Sequence, residues 1–519
     1  MTDTVPPVTT SNAGLPENWS IAELADLLDI VRGISFPSSA KRFEPEDGYI
    51  ACLRTTNVQR NVEWENLWFV PEAHLKRDEQ LVRPLDILIS TANSFELVGK
   101  VAQVKQMPVK ATLGAFISLI RVPSQLDARY FYYHLSSAET QQRIRNLAST
   151  TTNISNVSTK KLKTLTLTVP PLNEQRRIVE KIEELFVKLD AGIQSLKQTQ
   201  ALLESYRRAV LKAAVEGELS REWREAHSGE LEPASELLER IVQERREKFA
   251  GKKYKDPASP DTSGLPKLPE GWEWVTVDQV SKEVRYGSSS KTNEDSTGIP
   301  VLRMGNIQNG QLVADALKYL PTEHEEFPEL LLEPGDLLFN RTNSYELVGK
   351  TGVYRGTLEP CSFASYLIRV RFLSGVHSQF VASFINSAYG REWISSVVSQ
   401  QVGQANVNGT KLKALSVPLP PQAEQHFIVD EVERRLSVVD KLETTVEANL
   451  KQADSLRQSI LKRAFSGKLV PQDLDDEPAS MLLERIRAER QAAKPKARKG
   501  RKSNARPTKS NHAEQRGLF

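Results

Sequence analysis

Apolar residues recur at every seventh position over some forty residues in two parts of the chain. In the first, Ile182, Leu189, Leu196, Leu203 and Val210 form one column, and Val179, Phe186 and Ile193 fill the position three residues earlier. That spacing is the a/d seam of a coiled coil. Gln200 and Arg207 continue the second column as polar interruptions. Pro170 and Pro171 suit a helix entrance, where the missing N–H costs nothing, and Gly217 can take the left-handed conformation that closes the far end. At a shift of 250, Val432, Val439, Val446 and Ile460 repeat the column, with Ala453 as its weak member, between Pro420-Pro421 and Gly467. Each stretch predicts a helix of about 45 residues, about 65 Å long. A seam of that length needs another long helix to lie against, and the chain supplies it. The alternative, two separate surface helices on two globular domains, does not explain unbroken heptads.

The duplication extends beyond the helices, so the chain reads as an internal repeat. Leu15-Pro16-Glu17-Asn18-Trp19 returns as Leu268-Pro269-Glu270-Gly271-Trp272, and Leu53-Arg54-Thr55-Thr56-Asn57 as Leu302-Arg303-Met304-Gly305-Asn306. The run ending Asn93-Ser94-Phe95-Glu96-Leu97-Val98-Gly99-Lys100 returns ending Asn343-Ser344-Tyr345-Glu346-Leu347-Val348-Gly349-Lys350. Leu119-Ile120-Arg121-Val122 is matched to Leu367-Ile368-Arg369-Val370. Each long helix is trailed by a shorter one, 233–249 and 478–491, that shares Leu-Leu-Glu-Arg-Ile.

Between these landmarks the apolar runs are short and β-rich: 87–89, 116–122, 165–169 and 337–339. They predict an α+β domain in each copy, with one helix over 128–136 and its counterpart over 378–388. What remains, 150–161, 400–411, 287–297 and 340–344, is rich in Asn, Gln, Ser, Thr and Arg and is expected as exposed loops. Arg pairs with guanine edges, Asn and Gln with adenine edges, and Ser, Thr and Lys hold phosphates. Asn-rich loops are also ordinary turn chemistry. The candidate DNA face comprises Arg54, Asn57, Asn93, Phe95 and Lys100 in the first copy, and Arg303, Asn306, Arg341, Asn343, Tyr345 and Lys350 in the second. Against it stands a turn at Asn93-Ser94 and Asn343-Ser344, with Glu96 and Glu346 paired to Lys100 and Lys350.

Charge qualifies this picture. The net charge is +3, but nine Lys or Arg from Lys494 onward face Glu514 alone, a tail of +8, so the rest of the chain carries −5. A polyanion must therefore be held by local patches or with partner subunits. The tail, with Pro495, Gly500 and Pro507, reads as disordered. No apolar run approaches membrane length and the start lacks a signal-peptide core, so a cytoplasmic chain with no membrane partner is expected. Two cysteines, Cys52 and Cys361, exclude a disulfide framework.

Catalytic signatures are absent from the sequence. Gly349-Lys350-Thr351 resembles the end of a P-loop, but its required earlier glycine is Ser344. His324-Glu325 begins like a zinc helix, yet Pro328 stands at the second histidine. The Pro-Pro pairs lack the flanking residues of an adenine-methyltransferase loop. A non-catalytic chain with no metal and no cofactor of its own is expected.

Two tandem units, each ending in a Pro-Pro-x-x-Glu-Gln helix and each containing Leu-Arg-x-x-Asn and Val-Gly-Lys, resemble the specificity (S) subunit of Type I restriction-modification systems. The resemblance runs from Leu15 to about Gln491, leaving only the tails outside. It implies two target-recognition domains with β-rich sheets, each followed by a long α-helix, the two helices packing as an antiparallel coiled coil. The division it suggests is a tail (1–14), the first target-recognition domain (15–169), a central helical region (170–249) and a linker (250–267). The second target-recognition domain (268–419), a distal helical region (420–491) and a basic tail (492–519) follow. The partners implied are double-stranded DNA, two methylation (M) subunits that carry S-adenosylmethionine, and restriction (R) subunits. Two domains related by a helix pair would read half-sites about one turn apart. The frame shared at Val58-Gln59 and Ile307-Gln308 diverges immediately afterwards, so the site is expected to be asymmetric. A coiled-coil adaptor that binds proteins through the same domains, and an enzyme with an unrecognised site, are the competing readings.

Overall fold

The computed structural model describes residues 14–151, 154–249, 254–401 and 404–492. The basic tail from Lys494 onward, nearly all of the N-terminal tail and the start of the linker lie outside the described residues. The chain forms two compact units, one of residues up to Ile193 together with those from Lys451, the other Gln194–Leu450. The division falls inside both long helices, so each unit holds the start of one and the end of the other. The units therefore cut across the tandem order of the sequence.

The helices span Leu172–Val215 and Gln422–Phe465, 44 residues each. The carbonyls of Pro171 and Pro421 accept the first helical bonds, from the N–H groups of Gln175 (2.9 Å) and Gln425 (3.0 Å). At the far ends Gly217 (φ +72°) and Gly467 (φ +71°) are left-handed, and the next N–H returns to the carbonyl of Ala213 or Arg463, both at 2.9 Å. This is the Schellman closure expected of glycine there. Ile182, Leu203, Val210, Val432, Val439, Val446 and Ile460 are buried, and Leu189 and Leu196 half-buried. In the second unit Val210 packs in one cluster with Val432, and Leu203 in another with Val439 and Val446. Numbers rise on one helix as they fall on the other, so the pair is antiparallel. In the first unit Ile178, Val179 and Ile182 share a core with Ile460, Leu461 and Ala464.

Each unit carries the same small sheets. In the first, Ser20–Glu23 pairs with Thr166–Val169, directly before the long helix. An antiparallel sheet follows the order 29–32, 117–121, 87–90, 101–103, and Tyr49–Leu53 runs between Trp68–Pro71 and Ala111–Leu113. The second unit repeats them with Glu273–Thr276 on Ser416–Leu419 and a sheet ordered 281–286, 367–372, 337–340, 351–353. Helices Ala128–Ser136 and Ser378–Asn386 lie where expected, the second ending two residues early. Each is followed by a further helix, Ala138–Asn146 or Ala388–Val397.

The register corrects one sequence match. Leu88 faces Leu119, whereas the equivalent Leu338 faces Arg369. Leu119 therefore corresponds to Arg369 and Arg121 to Arg371, so the identical Leu-Ile-Arg-Val letters are slid by two residues. A slip of two preserves which face each side chain takes, which is why it looks plausible in sequence. The chemistry agrees: Arg121 clamps Asp86 at 2.8 and 2.6 Å, and Arg371 clamps Asp336 at 2.7 and 3.0 Å.

The trailing helices belong to different units. Ala234–Glu247 buries Leu237 and Ile241 in the second unit, where Ala234 N–H bonds Gly271 O at 2.9 Å. Ala479–Ala492 buries Leu482, Leu483 and Ile486 in the first, with Ala479 N–H on Asn18 O at 3.0 Å. The described part of the linker lies against the second unit, Thr276 donating to Ala258 O at 3.1 Å. Among the described residues no helix is long and apolar enough to cross a membrane.

Candidate nucleic-acid interface

Each globular domain is fastened to the helices by the Pro-Pro-x-x-Glu-Gln entrance. Glu174 and Gln175, like Glu424 and Gln425, are buried. The Trp19 indole donates to Glu174 at 2.9 Å and Gln472 adds a bond at 2.7 Å; in the second unit Trp272 (2.8 Å), Ser220 (2.6 Å) and Arg224 (2.5 Å) donate to Glu424. Burial pushes the Glu174 carboxyl up, opposed by those donors. Gln175 receives the N–H of Asp127 (3.0 Å) and donates to Pro170 O (3.0 Å); Gln425 does the same with His377 (2.8 Å) and Pro420 (2.9 Å). The motif thus fastens each globular domain to the start of its long helix. Its tryptophan half was visible in the sequence only as a repeated Leu-Pro-Glu-x-Trp.

The Leu-Arg-x-x-Asn segments prove to be short 3-10 turns, Thr55–Asn57 and Met304–Asn306. Asn57 and Asn306 are each 3% exposed. Asn57 accepts the Arg54 N–H at 3.0 Å and gives both amide hydrogens to the carbonyls of Glu63 and Glu65 at 2.9 Å. Asn306 repeats this with Arg303, Val313 and Asp315 at 2.8, 2.9 and 2.7 Å. This corrects the expectation that they read bases, since their hydrogen-bonding edges are consumed in holding the loop. Arg54 and Arg303 are half-buried, donating to Asn66 O (3.0 Å) and Ala316 O (2.6 Å). Arg54 also lies 4.9 Å over the Trp68 ring.

Asn93 and Asn343 sit instead on a three-stranded polar sheet. Its strands are Ala92–Asn93, Ile154–Asn156 and Ser149–Thr151 in the first unit, and Thr342–Asn343, Gln404–Asn406 and Ser399–Gln401 in the second. The expected loops 150–161 and 400–411 therefore contain antiparallel strands, each set followed by a short helix, Thr159–Lys163 or Gly409–Lys413. Backbone pairing joins these Ser-, Thr- and Asn-rich strands, and what they bury is small: Ala92 and Ser155 in the first unit, Thr342 and Ala405 in the second. Lys161 braces the foot of its strand pair through Leu147 O and Ser149 Oγ, both 3.0 Å, and Lys411 through Val397 O (2.5 Å) and Ser399 Oγ (2.7 Å). The side-chain oxygens of Asn93 and Asn343 accept from Ser94 and Ser344 at 2.9 and 2.8 Å, the turn reading. Phe95 and Tyr345, which follow, remain 48% and 43% exposed. Arg341 lies 4.8 Å over the Tyr286 ring.

Lys100 and Lys350 point elsewhere. They line clefts between the domain and the helices, about 990 Å³ in the first unit and about 560 Å³ in the second. Lys100 bonds Gln59 there, and among the described residues neither Glu96 nor Glu346 forms the expected pair with the neighbouring lysine. Gly99 and Gly349 have φ of +88° and +82°, and a Cβ on either would strike the side chain of Ile144 or Ile394. The Gly-Lys segment is a packed turn. Burial drives the thiols of Cys52 and Cys361 up to about 12, which makes them inert. No cluster of three or more metal-ligating side chains occurs among the described residues.

Comparisons with known proteins agree with this geometry. The family model described as Type I restriction modification DNA specificity domain matches residues 16–204 and 269–453. The chain is 28% identical over 501 residues to the Type I restriction enzyme EcoKI specificity subunit of Escherichia coli K12, covering 94% of this chain and 99% of that one. It is also 28% identical over 488 residues to the StySPI specificity subunit of Salmonella potsdam, covering 92% and 96%. A chain solved in work on assembly and conformational transition of the type I R-M system shares the fold with a TM-score of 0.62 at 17% identity, covering 88% of this chain and 99% of that one. The two matched segments take in both globular domains and most of both long helices, and the chain belongs to the Type I restriction-modification DNA specificity family.

Proposed function

We propose that this chain is the non-catalytic, DNA-reading subunit of a Type I restriction-modification complex, each globular domain reading one half of a bipartite, asymmetric site. The observation that carries this is the duplicated polar sheet. The same backbone frame, braced by Lys161 or Lys411, presents different side chains in its two copies. A frame built twice with different outward residues is what two unlike half-sites require. The helix pair serves as spacer and as the seat of two methylation subunits, which bring S-adenosylmethionine and the methyl-transfer chemistry. Restriction subunits join that assembly. Family membership speaks against the adaptor reading.

Selection from a random duplex library by the chain with its methylation subunits tests the proposal. Enrichment of two different short sequences at a constant gap is expected, with affinity falling steeply in salt. No enrichment over bulk DNA overturns it.

A further inference from the structure

A large apolar ring left in water at matching places of two domains calls for a reason, since burying it would stabilise either unit. Phe116 is 63% exposed and its counterpart Tyr366 47%. Each immediately precedes a central strand, Ile117–Arg121 or Leu367–Phe372. The Phe116 carbonyl accepts the N–H of Thr91 at 2.8 Å and the Tyr366 carbonyl that of Arg341 at 3.0 Å, which holds the residue beside the polar sheet.

One arginine stands at this corner in each unit, but at a different place in the chain: on the edge strand Asp29–Arg32 in the first, and between Leu337–Asn340 and Thr342–Asn343 in the second. In the second it is Arg341, stacked on Tyr286. In the first, Thr91 occupies the place of Arg341, and the exposed Arg32, opposite Ser118, occupies the place of Tyr286, opposite Ile368. The strand and short-helix segments 149–163 and 399–413 carry no acid, while Glu96 and Glu346 directly follow Phe95 and Tyr345, and Glu326 accepts from Ser288, whose carbonyl bonds Ser365. Residues 149–163 hold Lys160, Lys161 and Lys163, and residues 399–413 hold Lys411 and Lys413, beside Arg341; Lys413 lies 3.7 Å from Asp278. Outside the basic tail the chain is net acidic, so lysines concentrated in an acid-free segment next to an exposed ring suit a polyanion with flat apolar faces.

We infer that Phe116 and Tyr366 are specificity-determining residues that pack their rings on nucleobases, each within its own half-site, with the neighbouring arginine supplying the polar contact. The inference rests on the DNA-reading function proposed above. Bases offer π-faces and thymine a methyl group to such a ring, and apolar side chains can also wedge between base steps.

The test uses the full chain with its methylation subunits and the duplex selected by the wild type. Phe116→Ala should weaken binding about ten-fold or more and broaden preference in one half-site, and Tyr366→Ala should do so in the other. Phe43→Ala, which removes a ring 73% exposed in a different loop, should change neither. All variants should keep the wild-type unfolding temperature. Unchanged affinity and preference in both variants, or an equal loss in Phe43→Ala, overturns the inference. If the wild type selects no site, the DNA-reading function itself falls, and the inference with it.

Discussion

His134 is enclosed by Thr140 (3.1 Å), Thr168 (3.0 Å) and the stacked ring of Phe465, and burial pushes its pKa down to about 3. The unfolded imidazole titrates near 6.5, so between about 6.5 and 3 the unfolded state binds a proton that the folded state refuses. Its contribution to stability is therefore complete above the unfolded value and is lost as pH falls, by up to roughly 4–5 kcal/mol. His134→Gln should flatten the acid limb of the stability curve, with one fewer proton taken up on unfolding at pH 5. Glu174 works in the opposite sense: its raised pKa lowers stability as pH rises through the carboxylate range. Asn306→Ala, which strands two carbonyls and the Arg303 N–H, should cost about 2–3 kcal/mol in unfolding experiments while leaving base preference unchanged. Relaxed preference without lost stability would restore its reading role. Residue type alone could not reveal this, because Asn57 and Asn343 are the same letter and only the fold shows which amide is already spent.

At the scale of elements, the long helices were legible to within a residue or two because proline, glycine and heptads are local signals. The polar interruption at Arg207 was also visible, but its purpose was not. Arg207 pairs with Asp440 and, at 3.0 Å, with Glu443, and its repeat Arg457 pairs with Asp190 at 2.5 Å. The pair is written twice, at the shift of 250, across the a/d seam. Because these groups are only partly buried, Arg207→Ala should destabilise the second unit by about 1–2 kcal/mol. A double-mutant cycle with Asp440→Ala should recover a coupling of about 1 kcal/mol, and zero coupling would mean that the arginine acts only through its packed stem. The strand pairs Ser149–Thr151 with Ile154–Asn156 and Ser399–Gln401 with Gln404–Asn406 escaped the pattern because three-residue strands made mostly of Ser, Thr, Gln and Asn have no apolar alternation to announce them.

For the whole molecule, tandem order in the sequence misleads about which residues share a core. The trailing helix Ala479–Ala492 lies more than 450 residues from Asn18, yet its Leu482, Leu483 and Ile486 are buried with Leu24, Leu27 and Tyr130 of the first unit. Arg490 bonds Asp29 at 2.7 Å and Arg487 bonds Asp26 at 3.0 Å on the same face. Periodicity predicted that helix but could not name its partner, since an amphipathic face specifies only that something apolar must cover it. Removal of the chain beyond Gly467 thus acts on the first domain, not on the second, which is its nearer neighbour in sequence. Three buried apolar side chains are worth about 5–8 kcal/mol of transfer free energy, comparable to the stability of a domain. In hydrogen exchange of the truncated chain, residues 15–169 should lose protection while 268–419 stay protected, and site selection should retain one half-site and lose the other. Equal loss in both domains would mean that the two units do not hold separate cores.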